Sequence, residues 1–289
     1  MIFLWLSILC SSTIYVLFKT YKNLNAGLTG IIIINYFVAF ILGLVSKPTP
    51  NTLSTIIHSN WIPMAMLIGF LFVAMFFLIG ISTQKNGIGI TTIATRMSMV
   101  IPIFFSMFIF NEEISLSKLL KIGLTIIAVV LAIYSPKTKN RKNGLLILPF
   151  VLFIGSGGAD TLVKTAQQLF VPEHQLSLFS SLLFGTSFIA SFFLLFQKPK
   201  NEKLVSVNNL FVGSMLGAVN FGSLFFIMKA LNNSGMASSL VFGINNLAIV
   251  GISLIIGFFA FKEKLKPVNW VGIVLSAICI VLLTANRWT

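Results

Sequence analysis

The stretch IIIINYFVAFILGLV, residues 31–45, is interrupted only by Asn35 and Tyr36. A helix lying on a water-soluble core would return a polar face every 3.6 residues, and this one returns none. At 1.5 Å rise per residue, about 17–25 apolar residues cross a hydrocarbon layer about 30 Å thick. Composition extends the reading to the whole chain: 57% of the 289 residues are hydrophobic, 9% are charged, and phenylalanine occurs 29 times. Soluble domains run near a quarter charged, so this surplus of apolar surface needs a solvent that is itself apolar. The sequence predicts an all-α integral membrane protein that crosses the bilayer many times.

Working outward, the apolar runs predict ten transmembrane helices: Ile2–Phe18, Gly27–Val45, Trp61–Ile81, Gly87–Phe110, Lys118–Tyr134, Leu145–Val163, Leu176–Phe196, Leu210–Leu231, Met236–Ala260 and Asn269–Ala285. Between them stand SKPTPN, SPKTKNRKNG and QKPKNEK, whose Pro, Asn and Lys do not belong in hydrocarbon. The longest connection, Ser46 to Asn60, leaves no room for a folded soluble domain. The N-terminal MIFLWLSILC lacks the basic start of a cleavable signal, so it is expected to be the first retained helix.

The net charge of +14 does not point to nucleic acid. The basic residues sit singly or in short clusters between apolar runs, as in Lys137, Lys139, Arg141 and Lys142, which is what loops beside anionic lipid carry. No metal and no cofactor is expected. Cys10 and Cys279 lie apart inside apolar runs, and the two histidines, His58 and His174, fall in different loops without ligand spacing. Five of the six acids, Glu112, Glu113, Glu173, Glu202 and Glu263, lie at hairpins or loops, so no catalytic constellation assembles and the chain is not expected to be an enzyme.

The two halves resemble each other. SSTIYVLFKT with Lys19 ends the first helix and GGADTLVKTA with Lys164 ends the sixth; FNEEIS with Glu112 follows the fourth and FKEKLK with Glu263 follows the ninth, at offsets of 145 and 151 residues. A unit of five helices is odd-numbered, so its second copy enters the membrane from the opposite side. The result is a pair of inverted repeats, the arrangement of many secondary transporters. The expected organisation is a first repeat over 1–135, a basic linker over 136–143 and a second repeat over 144–289.

A Glu-basic-Leu hairpin followed by a Gly-containing apolar helix, here Glu263, Lys264 and Leu265 before Gly272, resembles the end of each repeat in EamA-like members of the drug/metabolite transporter superfamily. The first copy, Glu112, Glu113 and Ile114 before Gly123, is looser because Glu113 stands where the family has a basic residue, and Pro102 lies closer to its hairpin than the family pattern has it. The resemblance extends over the chain in helix number and repeat length. It implies a central pathway lined by helices one to four and six to nine, cytoplasmic termini, and transport of small metabolites.

Ionisable residues inside hydrocarbon cost roughly 2.5–3.5 kcal/mol each on insertion scales, which makes them pointers to function. Arg96 lies about nine residues into the fourth helix, roughly 13 Å deep. It cannot shed its charge, so it needs an acceptor, a wet cavity or an anionic group on the cargo. It is the first candidate for substrate binding. Asp160, the acid well inside an apolar segment, and Lys164, four residues on, are the candidates for ion coupling, with mutual neutralisation as the plainer use. The buried amides and phenol Asn35, Tyr36, Asn220, Asn245 and Asn246 join Arg96 as candidate substrate contacts if they converge on one cavity; otherwise they are packing glue. Gly213 and Gly217 form a GxxxG spacing for close helix approach, and Gly155, Gly157 and Gly158 precede Asp160.

Orientation divides the signals. With external termini the cytoplasmic loops hold 13 basic residues, Lys19, Lys22, Lys85, Lys137, Lys139, Arg141, Lys142, Lys198, Lys200, Lys203, Lys262, Lys264 and Lys266, against 6 on the other face, Lys47, Lys118, Lys121, Lys164, Lys229 and Arg287. The charge rule therefore favours external termini, whereas the family resemblance implies internal ones. The function expected is export of an amino acid or related metabolite across the cell membrane by alternating access. A lipid-linked sugar or drug-like cargo, or a non-transporting partner subunit, stands as the alternative. Small-molecule substrate and membrane lipid are the expected partners, with a homodimer among the options.

Overall fold

The computed structural model describes residues 1–46, 59–109, 116–133, 147–172, 175–199, 202–233, 236, 238–263 and 266–285. The linker 136–143, Glu112, Glu113, Ile114, His58, His174, Lys264 and Leu265 lie outside the described residues.

Regular structure among the described residues is helical throughout: α1 (Ile2–Thr20), α2 (Leu28–Ser46), α3 (Ile62–Asn86), α4a (Ile88–Met97), α4b (Val100–Ile109), α5 (Leu116–Ile133), α6 (Ile147–Leu169), α7 (Leu176–Ser191, continued by a 3-10 segment, Phe192–Gln197), α8 (Val207–Asn233), α9 (Ser238–Phe259) and α10 (Pro267–Ala285). Eight of these stretches are long and apolar enough to cross a membrane, with α4a and α4b counted as one. Large apolar side chains cover the outside, among them Trp5, Phe37, Phe150, Phe211, Phe258 and Val271. In water such a surface would be an aggregation hazard; in hydrocarbon it costs nothing. The chain is an all-helical, multi-pass membrane protein.

Helix α6 runs on to Leu169, past the expected Val163, and two further departures have a visible cause. Helix α3 continues to Asn86, past the expected end at Ile81, because its polar last turn is satisfied by neighbours. Ser82 Oγ bonds Thr91 Oγ1 at 2.8 Å, and the Gln84 amide donates to the carbonyls of Phe18 and Lys19 at 2.7 and 2.8 Å. The fourth span, expected to be continuous, breaks at Ser98–Met99. Pro102 has no N–H to give the Ser98 carbonyl four residues back, and its ring crowds that carbonyl. The Ser98 oxygen instead accepts from Ile101 N at 2.9 Å.

Packing is pairwise. Helix α1 lies on α8 and α9; α6 lies on α3 and on both parts of α4; α2 lies on α7 and α8; α3 on α7; α4a on α9; and α5 on α10. The GxxxG spacing of α8 serves its contact with α2, since a Cβ added at Gly217 would stand 2.6 Å from the Asn35 carbonyl oxygen and one at Gly213 3.1 Å from that of Ile31. Backbone cannot yield as a flexible side chain can. Gly217→Leu is therefore expected to destabilise the bundle by about 1–3 kcal/mol through overpacking, read as a lower melting temperature in detergent with unaltered helix content below the transition.

Candidate functional site around the interrupted fourth span

The break after Arg96 organises the polar residues of the interior. Thr91, Thr92, Thr95 and Ser98 line this stretch, and each hydroxyl folds back onto a carbonyl of its own helix, Thr92 onto Ile88 at 2.8 Å and Ser98 onto Thr95 at 2.6 Å. Such back-bonding satisfies buried hydroxyls and tends to bend a helix. Thr95 Oγ1 also bonds the hydroxyl of Tyr15, on α1, at 2.6 Å.

Tyr15 is the residue that positions Arg96. It is 3% exposed, and the Arg96 guanidinium carbon lies over its ring, 5.8 Å from the centroid. A cation on an aromatic face is held without a hydrogen bond, which leaves the guanidinium donors for another partner. Arg96 is half-buried, and its Nε is buried with no hydrogen-bond partner. An unmet donor on a permanent cation at membrane depth is costly unless water or a ligand meets it. Tyr15→Phe is expected to keep the ring beneath Arg96 while losing the Thr95 bond, at about 1 kcal/mol of stability. Tyr15→Leu removes the ring as well and is expected to weaken ligand binding, measured as a smaller ligand-induced thermal shift than in Tyr15→Phe.

Asp160 faces the same region. On α6, Gly157 presses on the break: an added Cβ would be 2.8 Å from the Ser98 carbonyl oxygen and 2.5 Å from Ile101 Cδ1. Asp160 lies one turn further along that helix and interacts electrostatically with Arg96. Its side chain is exposed on α6 rather than packed against a neighbouring helix. Open space also adjoins Gly158, where an added Cβ would meet nothing within 4 Å. Both charges lie well inside their apolar helices, about 12 Å into the fourth and about 20 Å into the sixth at 1.5 Å per residue. They do not close on each other: among the described residues the ion pair formed is Lys19–Glu263. Lys164, the other candidate for ion coupling, is half-buried on the same helix.

The amides divide between this site and the packing. Asn246 donates to Met99 Sδ, at the break, at 3.3 Å, and neighbouring Asn245 is buried with its Oδ1 unpartnered. Asn220 instead donates to Asn35 Oδ1 at 3.2 Å, tying α8 to α2, while Tyr36 is 1% exposed in an apolar cluster with its ring 5.6 Å from that of Phe76. The structure thus gathers Arg96, Asp160 and Asn246 about one break, and gives Asn35, Asn220 and Tyr36 to interhelical packing. Tyr15 and Thr95 escaped the sequence reading because what marks them is their bond to each other across 80 residues of sequence; the polar run SSTIY around Tyr15 was the available hint.

Comparison with known proteins adds the fold. No family model matches the chain. It is similar to an uncharacterized protein of Haemophilus influenzae, 28% identical over 277 residues that make up 93% of each chain. It is also similar to a solved crystal structure, described only as that of a protein, with a TM-score of 0.57 and 12% identity, covering 97% of this chain and 98% of that one. At that identity the likeness concerns architecture alone. The chain therefore matches both proteins from end to end rather than through one module.

Proposed function

We propose that the chain is a secondary transporter of the cell membrane that carries a small zwitterionic metabolite, an amino acid or close relative, by alternating access. The observation that carries this reading is the pair Arg96 and Asp160, a fixed cation and an acid inside apolar helices whose charges act on each other without closing into an ion pair. A ligand with a carboxylate at one end and an ammonium at the other satisfies both charges at once, and the guanidinium fork suits a carboxylate. A protein built only as a scaffold has no use for two unneutralised charges at that depth.

The architecture supports the same reading. With α4a and α4b taken as one, the helices among the described residues number ten, and replacing each helix by the one five places along leaves the main packing pairs unchanged. The pair α1–α8 becomes α6–α3, α1–α9 becomes α6–α4, α2–α8 becomes α7–α3, and α2–α7, α4–α9 and α5–α10 return to themselves. Two five-helix repeats would behave in this way, which supports the reading of an inverted pair, and an interrupted helix beside the site is a recurring device in such proteins. Membership of the EamA-like transporters is part of the proposal, resting on the duplicated Glu hairpins. Asp160 is also the place for a coupled proton; transport in proteoliposomes at one rate across the pH range would remove that role.

The test is a thermal-shift screen of purified protein against amino acids, their deaminated acids and their decarboxylated amines, followed by flux in proteoliposomes. Stabilisation is expected to be largest for the zwitterions. Equal stabilisation by the amines alone would overturn the assignment of Arg96, and turnover of a bound compound would replace transport with enzymatic chemistry.

A further inference from the structure

At one end of the bundle, where α1 and α3 finish and α4a begins, four polar ties converge. Lys19 Nζ pairs with Glu263 Oε1 at 3.0 Å and donates to the Thr83 carbonyl at 3.3 Å. The Glu263 carboxylate accepts from the backbone N–H of Ile88 at 2.8 Å and of Gly89 at 3.2 Å, so it caps α4a from a loop 175 residues away in sequence. The Gln84 amide caps the carbonyl end of α1. Glycine makes room for the acid: at Gly87, whose φ is 94°, and at Gly257, an added Cβ would come within 2.7 Å of the carboxyl group.

These ties have a direction. Helix α1 packs on α8 and α9, and α6 packs on α3 and α4; the two groups meet where α9 lies on α4a and α1 on α3. Lys19 and Glu263 belong to the first group, Thr83, Gln84, Ile88 and Gly89 to the second, so each of the ties from Glu263 to α4a, Lys19 to α3 and Gln84 to α1 bridges the two. A similar cap lies nearby but differs in degree. Glu202 accepts from Thr29 and Gly30 at the start of α2, at 2.8 and 3.3 Å, and there α2 packs on α8 far more extensively than α4a packs on α9.

We propose that Glu263, with Lys19 and Gln84, is a latch that holds this end of the transport pathway shut and releases it when the two helix groups part. The proposal rests on the transporter reading above. A carboxylate on the positive end of a helix and beside a lysine binds strongly for its size. Its partners can be replaced by water at modest net cost, because folding and opening exchange one set of hydrogen bonds for another. Apolar interdigitation of equal strength could not part so readily. Lys19 and Glu263 are 20% and 15% exposed at their side chains, so water stands ready at the joint. The α2 cap by Glu202 is a fixed tie by comparison.

Hydrogen–deuterium exchange on the full chain in nanodiscs tests this with Glu263→Ala. A latch predicts exchange at least tenfold faster at residues 88–91 and, with it, at the ends of α1 (17–21) and α3 (82–86), while residues 28–31 under Glu202 stay as in the wild type. Acceleration confined to 88–91 would mean a local helix cap and would overturn the proposal. Should Glu263→Ala not fold, Lys19→Gln is read in the same way, with the same three segments expected to respond together. The amino-acid thermal shift recorded on the same samples reports separately on the transporter reading, which survives a failed latch if that shift is retained.

Discussion

Arg96→Gln is expected to abolish transport and to lower affinity for carboxylate-bearing ligands by about 10–100-fold, the loss of a charge-assisted hydrogen-bonded contact of about 1.5–3 kcal/mol. The guanidinium lies on the Tyr15 ring with Nε unpartnered in the protein, so its recognition capacity is directed at something that enters the space it faces. Glutamine keeps a donor but loses the charge and the planar fork. Insertion should be unaffected or easier, because a charge is removed from the hydrocarbon layer. Arg96→Lys is expected to recover little, since an ammonium is a point charge that does not reproduce stacking with bidentate donation. The measurement is flux in proteoliposomes with thermal shift on the same preparations. Wild-type flux in Arg96→Gln would remove the site.

Asp160→Asn is expected to separate the two ends of the ligand. Zwitterions should lose about 10–100-fold in affinity, because an ammonium then faces a neutral amide in a poorly solvated space. Deaminated acids should bind at least as well as before, since the anion that repelled them is gone. A double-mutant cycle tests the pairing further: Arg96→Gln combined with Asp160→Asn should cost zwitterions no more than the larger single effect if both groups grip one molecule that either substitution already releases, and roughly the sum if they act apart. Equal losses for acids and zwitterions in Asp160→Asn would mean that Asp160 supports the fold around Arg96 rather than touching an amine. The two variants together therefore read out ligand polarity without knowledge of the side chain carried.

Much of this molecule was legible in the chain. The apolar runs marked the helices, and the GxxxG of Gly213 and Gly217 marked a close contact whose partner, α2, the structure supplies. Arg96 and Asp160 stood out because charge in hydrocarbon is expensive wherever the segment ends up. Other features were visible but read differently. Pro102 was seen as a departure from a family pattern, whereas it is the physical cause of the break beside Arg96. Lys19 and Glu263 were noticed as repeat markers, each matched to its counterpart in the other half, whereas they bond to each other. The buried amides looked alike in sequence, and nothing in Asn35 or Asn246 foretells that one pairs with Asn220 and the other approaches Met99.

Sequence alone determined the solvent, the helical class and the residues that pay to be buried, because partition into hydrocarbon is summed within each segment and needs no knowledge of neighbours. Only the tertiary structure decided which charges meet, which amides pair and which glutamate caps which helix. Those outcomes depend on the rotation of each helix about its axis and on contacts between residues more than 60 positions apart, as between Tyr15 and Thr95, and no local pattern encodes either.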